Sequence, residues 1–332
     1  QTAASPVHGA EANSRPWRFA RVLIPTLSIA ICVIVGYLTV VAMSHSELRA
    51  PRPGFLLVDT DGEFLANFES PDRAAFGYWP ALASAPRVER ATLALEDRRF
   101  ARHLGVDVLA LGRALVQNLQ SGRRISGGST IAMQVARMQR PGPRTYWRKI
   151  EEIAVALALT ARHGRAALLR HYLTIVPYGN RLHGTSAAAR LYLNKPVADL
   201  SWAEIAFLSS IPQSPALHNP YRANGRKRIV ARARQALAQL RETGTFDEPE
   251  LRSALRQLAL IQVRPPPERP HESLHWVLNS KSRLRLNEAA APAGVVKSAI
   301  DSATQAMAFD VIHQHLPEWR ESGADNAAAV VV

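Results

Sequence analysis

Acidic residues are scarce in this chain, cysteine is nearly absent, and no metal-type grouping of Cys and His occurs. The single cysteine, Cys32, excludes an internal disulfide, so topology rather than cysteine usage must indicate the redox compartment. Without a Cys/His cluster there is no structural or catalytic zinc site to read, and without a fixed-period repeat there is no solenoid. Asp and Glu number 27 against 41 Lys and Arg, which leaves a formal net charge of +14 and calls for anionic partners. Nucleic acid, an acidic membrane surface and a phosphorylated substrate all qualify. A hydrophobic content of 47% over 332 residues is ample for a packed core, and the length suits about two domains.

Charge is wholly missing from Val22 to Met43. As a helix that run reaches about 33 Å, enough to cross the hydrocarbon core of a bilayer. It is longer than the apolar core of a signal peptide and no clean small-x-small cleavage site follows it, so the expectation is an uncleaved anchor. Arg15, Arg18 and Arg21 stand just before it, which places the N-terminus in the cytoplasm and the remaining residues outside.

After the span, Gly54 to Phe64 (GFLLVDTDGEF) sets two apolar runs about an Asp-Gly turn, a hairpin signal. From Pro86 to about Leu260 the pattern becomes Ala- and Leu-rich with helical periodicity, punctuated by Gly and Pro. Val263 to Pro270 (VRPPPERP) reads as a stiff spacer, and Asn326 to Val332 as a buried-strand pattern. The organisation expected is a cytoplasmic tail over 1–21, a transmembrane helix over 22–43 and a β-hairpin linker over 44–75. A mainly helical domain over 76–262 and a linker running into a further domain over 263–332 complete it.

Four runs inside the helical region carry chemistry. Glu96 to Asp107 (EDRRFARHLGVD) brings two acids to the edge of an apolar stretch, where a carboxylate suits general base work; a solvated helix end is the plainer alternative. Gly127 to Gln134 (GGSTIAMQ) offers either an ordinary N-capped helix or a helix N-terminus open to a phosphate, with Arg137 and Arg140 beyond it. Arg148, Lys149 and Glu152 lie on one helix-like run from Tyr146 to Arg162: Arg148 and Glu152 form a surface ion pair, or the cations bind a diphosphate beside an acid. Tyr172 to Lys195 and Leu200 to Pro220 read mostly as core helices and turns.

In order and spacing, these runs resemble the signature motifs of glycosyltransferase family 51, the glycan-polymerising domain of class A penicillin-binding proteins, over about Phe55 to Pro220. The resemblance implies a mainly α, lysozyme-like domain with an apolar flap that dips into the bilayer, followed over 263–332 by a proline-rich linker and the truncated start of a transpeptidase-like domain. It implies polymerisation of lipid II into a β-1,4 glycan by inverting transfer from a lipid diphosphate. Glu96 would then be the general base, Asp97 its support, and Glu152 the second acid beside the donor diphosphate. Substrate contacts would come from Arg98, Phe100, His103, Gly128, Ser129, Thr130, Gln134, Arg137, Arg148 and Lys149. A divalent cation, Mg or Mn, would bind with the diphosphate at Glu152. Implied partners are lipid II, the growing glycan, membrane lipid and other cell-wall synthesis proteins, with no nucleic acid; the implied place is the inner membrane, with the catalytic domain in the periplasm.

Departures from the family pattern are Arg170 where a Glu is usual, Thr174 in place of Asn, and Arg137 in place of Lys. Lytic transglycosylases and muramidases share the scaffold type, and a catalytically silent cell-wall scaffold is a third reading. A cleaving enzyme needs no diphosphate site, which favours the transferase. No Ser stands three residues before a Lys, so the nucleophile of penicillin-binding transpeptidases is missing. Fluorescent penicillin is therefore expected to leave this chain unlabelled; a covalently labelled band would contradict that.

Overall fold

The structure, a computed structural model, describes residues 15–51, 54–68, 85–122, 128–266, 268, 270–285 and 294–329. Gly127, most of the expected cytoplasmic tail and the three terminal valines lie outside them. The first helix, α1 (Arg15–Ser44), contains the apolar stretch Ile24–Ser44 of mean hydropathy 2.3. It is long and apolar enough to cross a membrane, the one such helix among the described residues. Val41 and Ala42 near its end are buried.

The expected hairpin forms. Strand β1 (Phe55–Val58) pairs antiparallel with β2 (Phe64–Phe68), and Phe55 stacks on its cross-strand partner Phe68 with ring centroids 4.7 Å apart. Asp59 ties the turn, accepting the backbone N–H groups of Asp61 at 2.9 Å and Glu63 at 2.7 Å. Gly62 supplies the positive φ, +86°, that the turn requires. A further strand, Gly294–Lys297, joins the other edge of β1 in parallel, giving the order β2-β1-β5 with this strand as β5. The segment after the proline-rich spacer thus returns to the hairpin. Asn326 to Ala329 departs from the buried-strand expectation: these residues are exposed and outside any strand, since polyalanine alone has too little side chain to earn a place in a sheet.

The helical body is assembled around α4 (Ile131–Gln139), whose residues Ile131 to Ala136 are all buried. Helix α5 (Tyr146–Ile175) packs along it, and α2 (Pro86–Glu96), α6 (Thr185–Leu193), α7 (Trp202–Ser209), α8 (Ala223–Glu242) and α9 (Glu248–Leu260) complete the same hydrophobic core. Helix α7 starts with a capping box, Ser201 and Glu204 each bonding the other's backbone N–H. A tight β-turn through Asn180 and Arg181, both at positive φ, links β3 (Pro177–Gly179) to β4 (Leu182–His183). Helix α3 (Val108–Ser121) is different. Val108, Leu109, Leu115, Val116 and Leu119 on it are exposed, an apolar surface of the kind that faces a membrane or partner. Arg170 is exposed, so no buried charge replaces the acid usual there.

Burial also leaves a pH signature. His171 on α5 is buried, with the side-chain amide of Gln139 2.9 Å from its Nε2. Desolvation, reinforced by His163, lowers its pKa to about 4. Between the ordinary histidine value of about 6.5 and that depressed value, the unfolded chain binds a proton that the folded chain does not. Stability is therefore expected to fall as pH drops through that window, and His171→Gln to flatten the slope. Thermal midpoints measured against pH check this; equal slopes in both proteins would contradict it.

Candidate active site

Helix α2 ends on Glu96, and the backbone at Asp97 turns out of the helix (φ −157°, ψ 72°), so the adjacent carboxylates diverge. Glu96 sits at the edge of a cavity of ≈ 300 Å³ that Asp97, Arg98, Gly128, Ser129 and Thr130 also line. Its Oε1 accepts Arg232 Nη2 at 2.8 Å and its Oε2 accepts Gln134 Nε2 at 3.0 Å, with the side chain 9% exposed. Each carboxylate oxygen has a second lone pair, so these contacts leave room for a further proton donor.

Asp97 faces inward. Its Oδ1 accepts His103 Nε2 at 2.9 Å and its Oδ2 accepts the backbone N–H of Ile131 at 3.0 Å. The His103 Nδ1 accepts the Gly105 N–H at 3.2 Å, so the Nε2 side of the ring is the one that donates to Asp97. This changes the reading of the glycine-rich run. The N-terminus of α4 is already occupied by the Asp97 carboxylate and by the Thr130 side chain, which accepts the Met133 N–H, so it is not an open phosphate seat. Thr130 also donates to the Gly105 carbonyl at 2.5 Å. Two glycines permit the close packing here: a Cβ on Gly128 would lie 2.7 Å from the Ala110 carbonyl oxygen, and one on Gly105 would lie 2.6 Å from that of Ala156. Phe100 meets the His103 ring edge-on at 6.3 Å, so these two residues pack against each other.

The second acid lies across α4. Lys149 Nζ donates to Ser129 Oγ at 2.9 Å and to Glu152 Oε2 at 3.0 Å, joining the glycine-rich run to α5. Arg148 departs from expectation. It does not pair with Glu152; its Nη1 donates to Glu151 at 3.1 Å, and its Nη2 reaches the carbonyl oxygens of Arg140 and Pro141. The reason is helical geometry: residues 148 and 151 share one face and residues 149 and 152 the next, so each cation finds the acid at i+3. Arg137 occupies the last turn of α4, half-buried.

The arrangement brings Glu96 to Gln134 in the first turns of α4, and Lys149 and Glu152 of α5 to Ser129 just before that helix. Sequence reasoning missed Arg232 on α8, 136 residues from its partner Glu96, and the buried Glu151. Arg232 is one of several arginines on α8, so nothing in the local pattern singles it out. For a divalent cation the protein offers little by itself. Among the described residues no group of three or more His, Cys, Asp or Glu gathers at one point, and Glu152 already accepts Lys149. That donor set fits a cation only where substrate phosphate oxygens complete the coordination.

The cavity is lined by three acids, Glu96, Asp97 and Asp107, and three arginines, Arg98, Arg99 and Arg113, and Ser129 on its wall carries the link to Lys149 and Glu152. Residues 61–241 match the family described as Transglycosylase, and the chain belongs to that family. Penicillin-binding protein 1C of Escherichia coli (strain K12) is 34% identical over 225 residues, covering 67% of this chain and 28% of the relative. Penicillin-binding protein 1A of Neisseria gonorrhoeae is 33% identical over 194 residues, covering 58% and 24%. The chain thus spans roughly a quarter of the length of these relatives. The crystal structure of Penicillin-Binding Protein 1A from Haemophilus influenzae aligns over 85% of this chain and 33% of its own, at 18% identity and a TM-score of 0.41.

Proposed function

We propose that the chain is a peptidoglycan glycosyltransferase that polymerises lipid II into β-1,4 glycan, anchored in the inner membrane by α1 with the helical body on the periplasmic side. The observation that carries this is that Glu96, bonded by Gln134 of α4, and Ser129, bonded by the Lys149 that pairs with Glu152, line one cavity. The acceptor's 4-hydroxyl oxygen attacks the donor's anomeric carbon from the face opposite the diphosphate. The bond from that carbon to the phosphate oxygen breaks, configuration inverts from α to β, and the lipid diphosphate departs. Glu96 takes the hydroxyl proton, held for it by Arg232 and Gln134. Lys149 offsets the charge that develops on the leaving diphosphate. Asp97 acts through structure, fixing His103 and the start of α4. Arg98 lines the cavity and adds positive charge for the substrate.

Glu152 is placed to orient Lys149 and to be the single protein ligand of a divalent cation that arrives with the diphosphate, Mg or Mn; when bound, that cation adds charge neutralisation at the leaving group. The exposed apolar face of α3 fits contact with membrane lipid.

Incubation of the purified chain with labelled lipid II tests the reading: glycan polymer is expected. No polymer would reject it, and cleavage of preformed glycan in place of elongation would instead mark a lytic enzyme. For Glu152→Gln, the residual rate is expected to respond more steeply to added divalent cation than that of Glu96→Gln. Identical responses would remove the separate role for Glu152.

A further inference from the structure

The buried acid that the mechanism leaves unused, Glu151, is held from three directions. Its Oε1 accepts the Tyr37 hydroxyl of α1 at 2.6 Å. Its Oε2 accepts Arg140 Nη1 at 2.8 Å and Arg148 Nη1 at 3.1 Å. Burial opposes its charge, but the Tyr37 hydrogen bond and the two guanidinium groups override that and keep the carboxyl below the usual range. The Tyr37 ring also lies 5.8 Å from that of Trp147. A second tie sits farther along α5, where Arg162 and His163 bond Ser46 just after α1 ends, at 3.1 Å and 2.7 Å.

Attachment at two levels fixes how α5 is rotated about its own axis. Rotation matters because Glu151 and Glu152 lie about 100° apart around a helix of 3.6 residues per turn. With Glu151 turned to α1, Lys149 and Glu152 are turned to Ser129. We infer that Tyr37 is a positioning residue for the site, acting through Glu151 to hold Lys149 and Glu152 in register with Ser129. This rests on the functional reading above and deepens it: the apolar helix is part of the transferase machinery as well as a tether.

Tyr37→Phe removes one hydroxyl and keeps the ring. Loss of a hydrogen bond to a charged group lowers the fraction of molecules with Lys149 in register to roughly a tenth. Substrate binding then has to restore the register, so the apparent KM for lipid II rises about tenfold while kcat stays within about twofold. Glu151→Gln shifts KM in the same direction, and the double variant is no worse than the more affected single one, because both changes break one linkage. Hydrogen exchange on the full chain in detergent gives a readout independent of activity: amides of residues 140–152 exchange about tenfold faster in Tyr37→Phe, and those of α7 do not. An unchanged KM, a fall in kcat alone, additive single variants or unaltered exchange would each overturn the inference. If the unmodified chain makes no polymer, the functional reading fails, and hydrogen exchange alone then decides for or against the linkage.

Discussion

Glu96→Gln is expected to lower kcat for glycan polymerisation by about 100 to 10,000-fold, the usual worth of a general base, while the KM for lipid II changes little. The substitution keeps side-chain size and lets the amide oxygen still accept from Arg232, so what is lost is basicity. It also leaves the half-buried Arg232 without its counter-charge, and some loss of thermal stability should accompany the change. Measuring kcat, KM and the thermal midpoint on the same sample separates the effects. A variant that stays folded and polymerises at the unmodified rate would place the base elsewhere.

Lys149→Met should lower kcat by about 100 to 1,000-fold, comparable to deleting a preorganised group that meets charge developing in a transition state. Methionine retains the length of the apolar stem while removing the ammonium that joins Ser129 to Glu152. The parallel change Arg148→Met is expected to act more weakly on kcat, because that guanidinium is committed to Glu151 and to the carbonyl groups after α4. Equal losses in the two variants, measured by single-turnover transfer from labelled lipid II, would contradict the division between the two faces of α5.

What could be read from sequence follows the range of the forces involved. Helical periodicity and an Asp-Gly turn are local, and both the helical body and the hairpin appear where those patterns lie. Glu96, Gln134, Ser129, Lys149 and Glu152 stood inside recognisable runs, and tertiary packing brings them together around the start of α4. The contacts that escaped were set by direction or by distance along the chain. Asp97 was legible as an acid beside Glu96, but only the break in backbone direction after α2 turns it inward. Arg148 and Glu151 were visible as residues, yet their partnership depends on which face of α5 meets α1. Arg232 and β5 reach their partners across long separations with no local signal at either end.

The sheet has a mechanical consequence. Strand β1 is reached from α1 through its N-terminal end, and β5 leaves through its C-terminal end toward α11 (Ser302–Arg320). Because the two strands run parallel, tension between α1 and α11 would pull them lengthwise in opposite senses and load their hydrogen bonds together, in shear, instead of peeling them apart singly. The helices from α2 to α9 lie in the chain between the two strands. A pull along this axis would have to break the β1–β5 clasp as one unit.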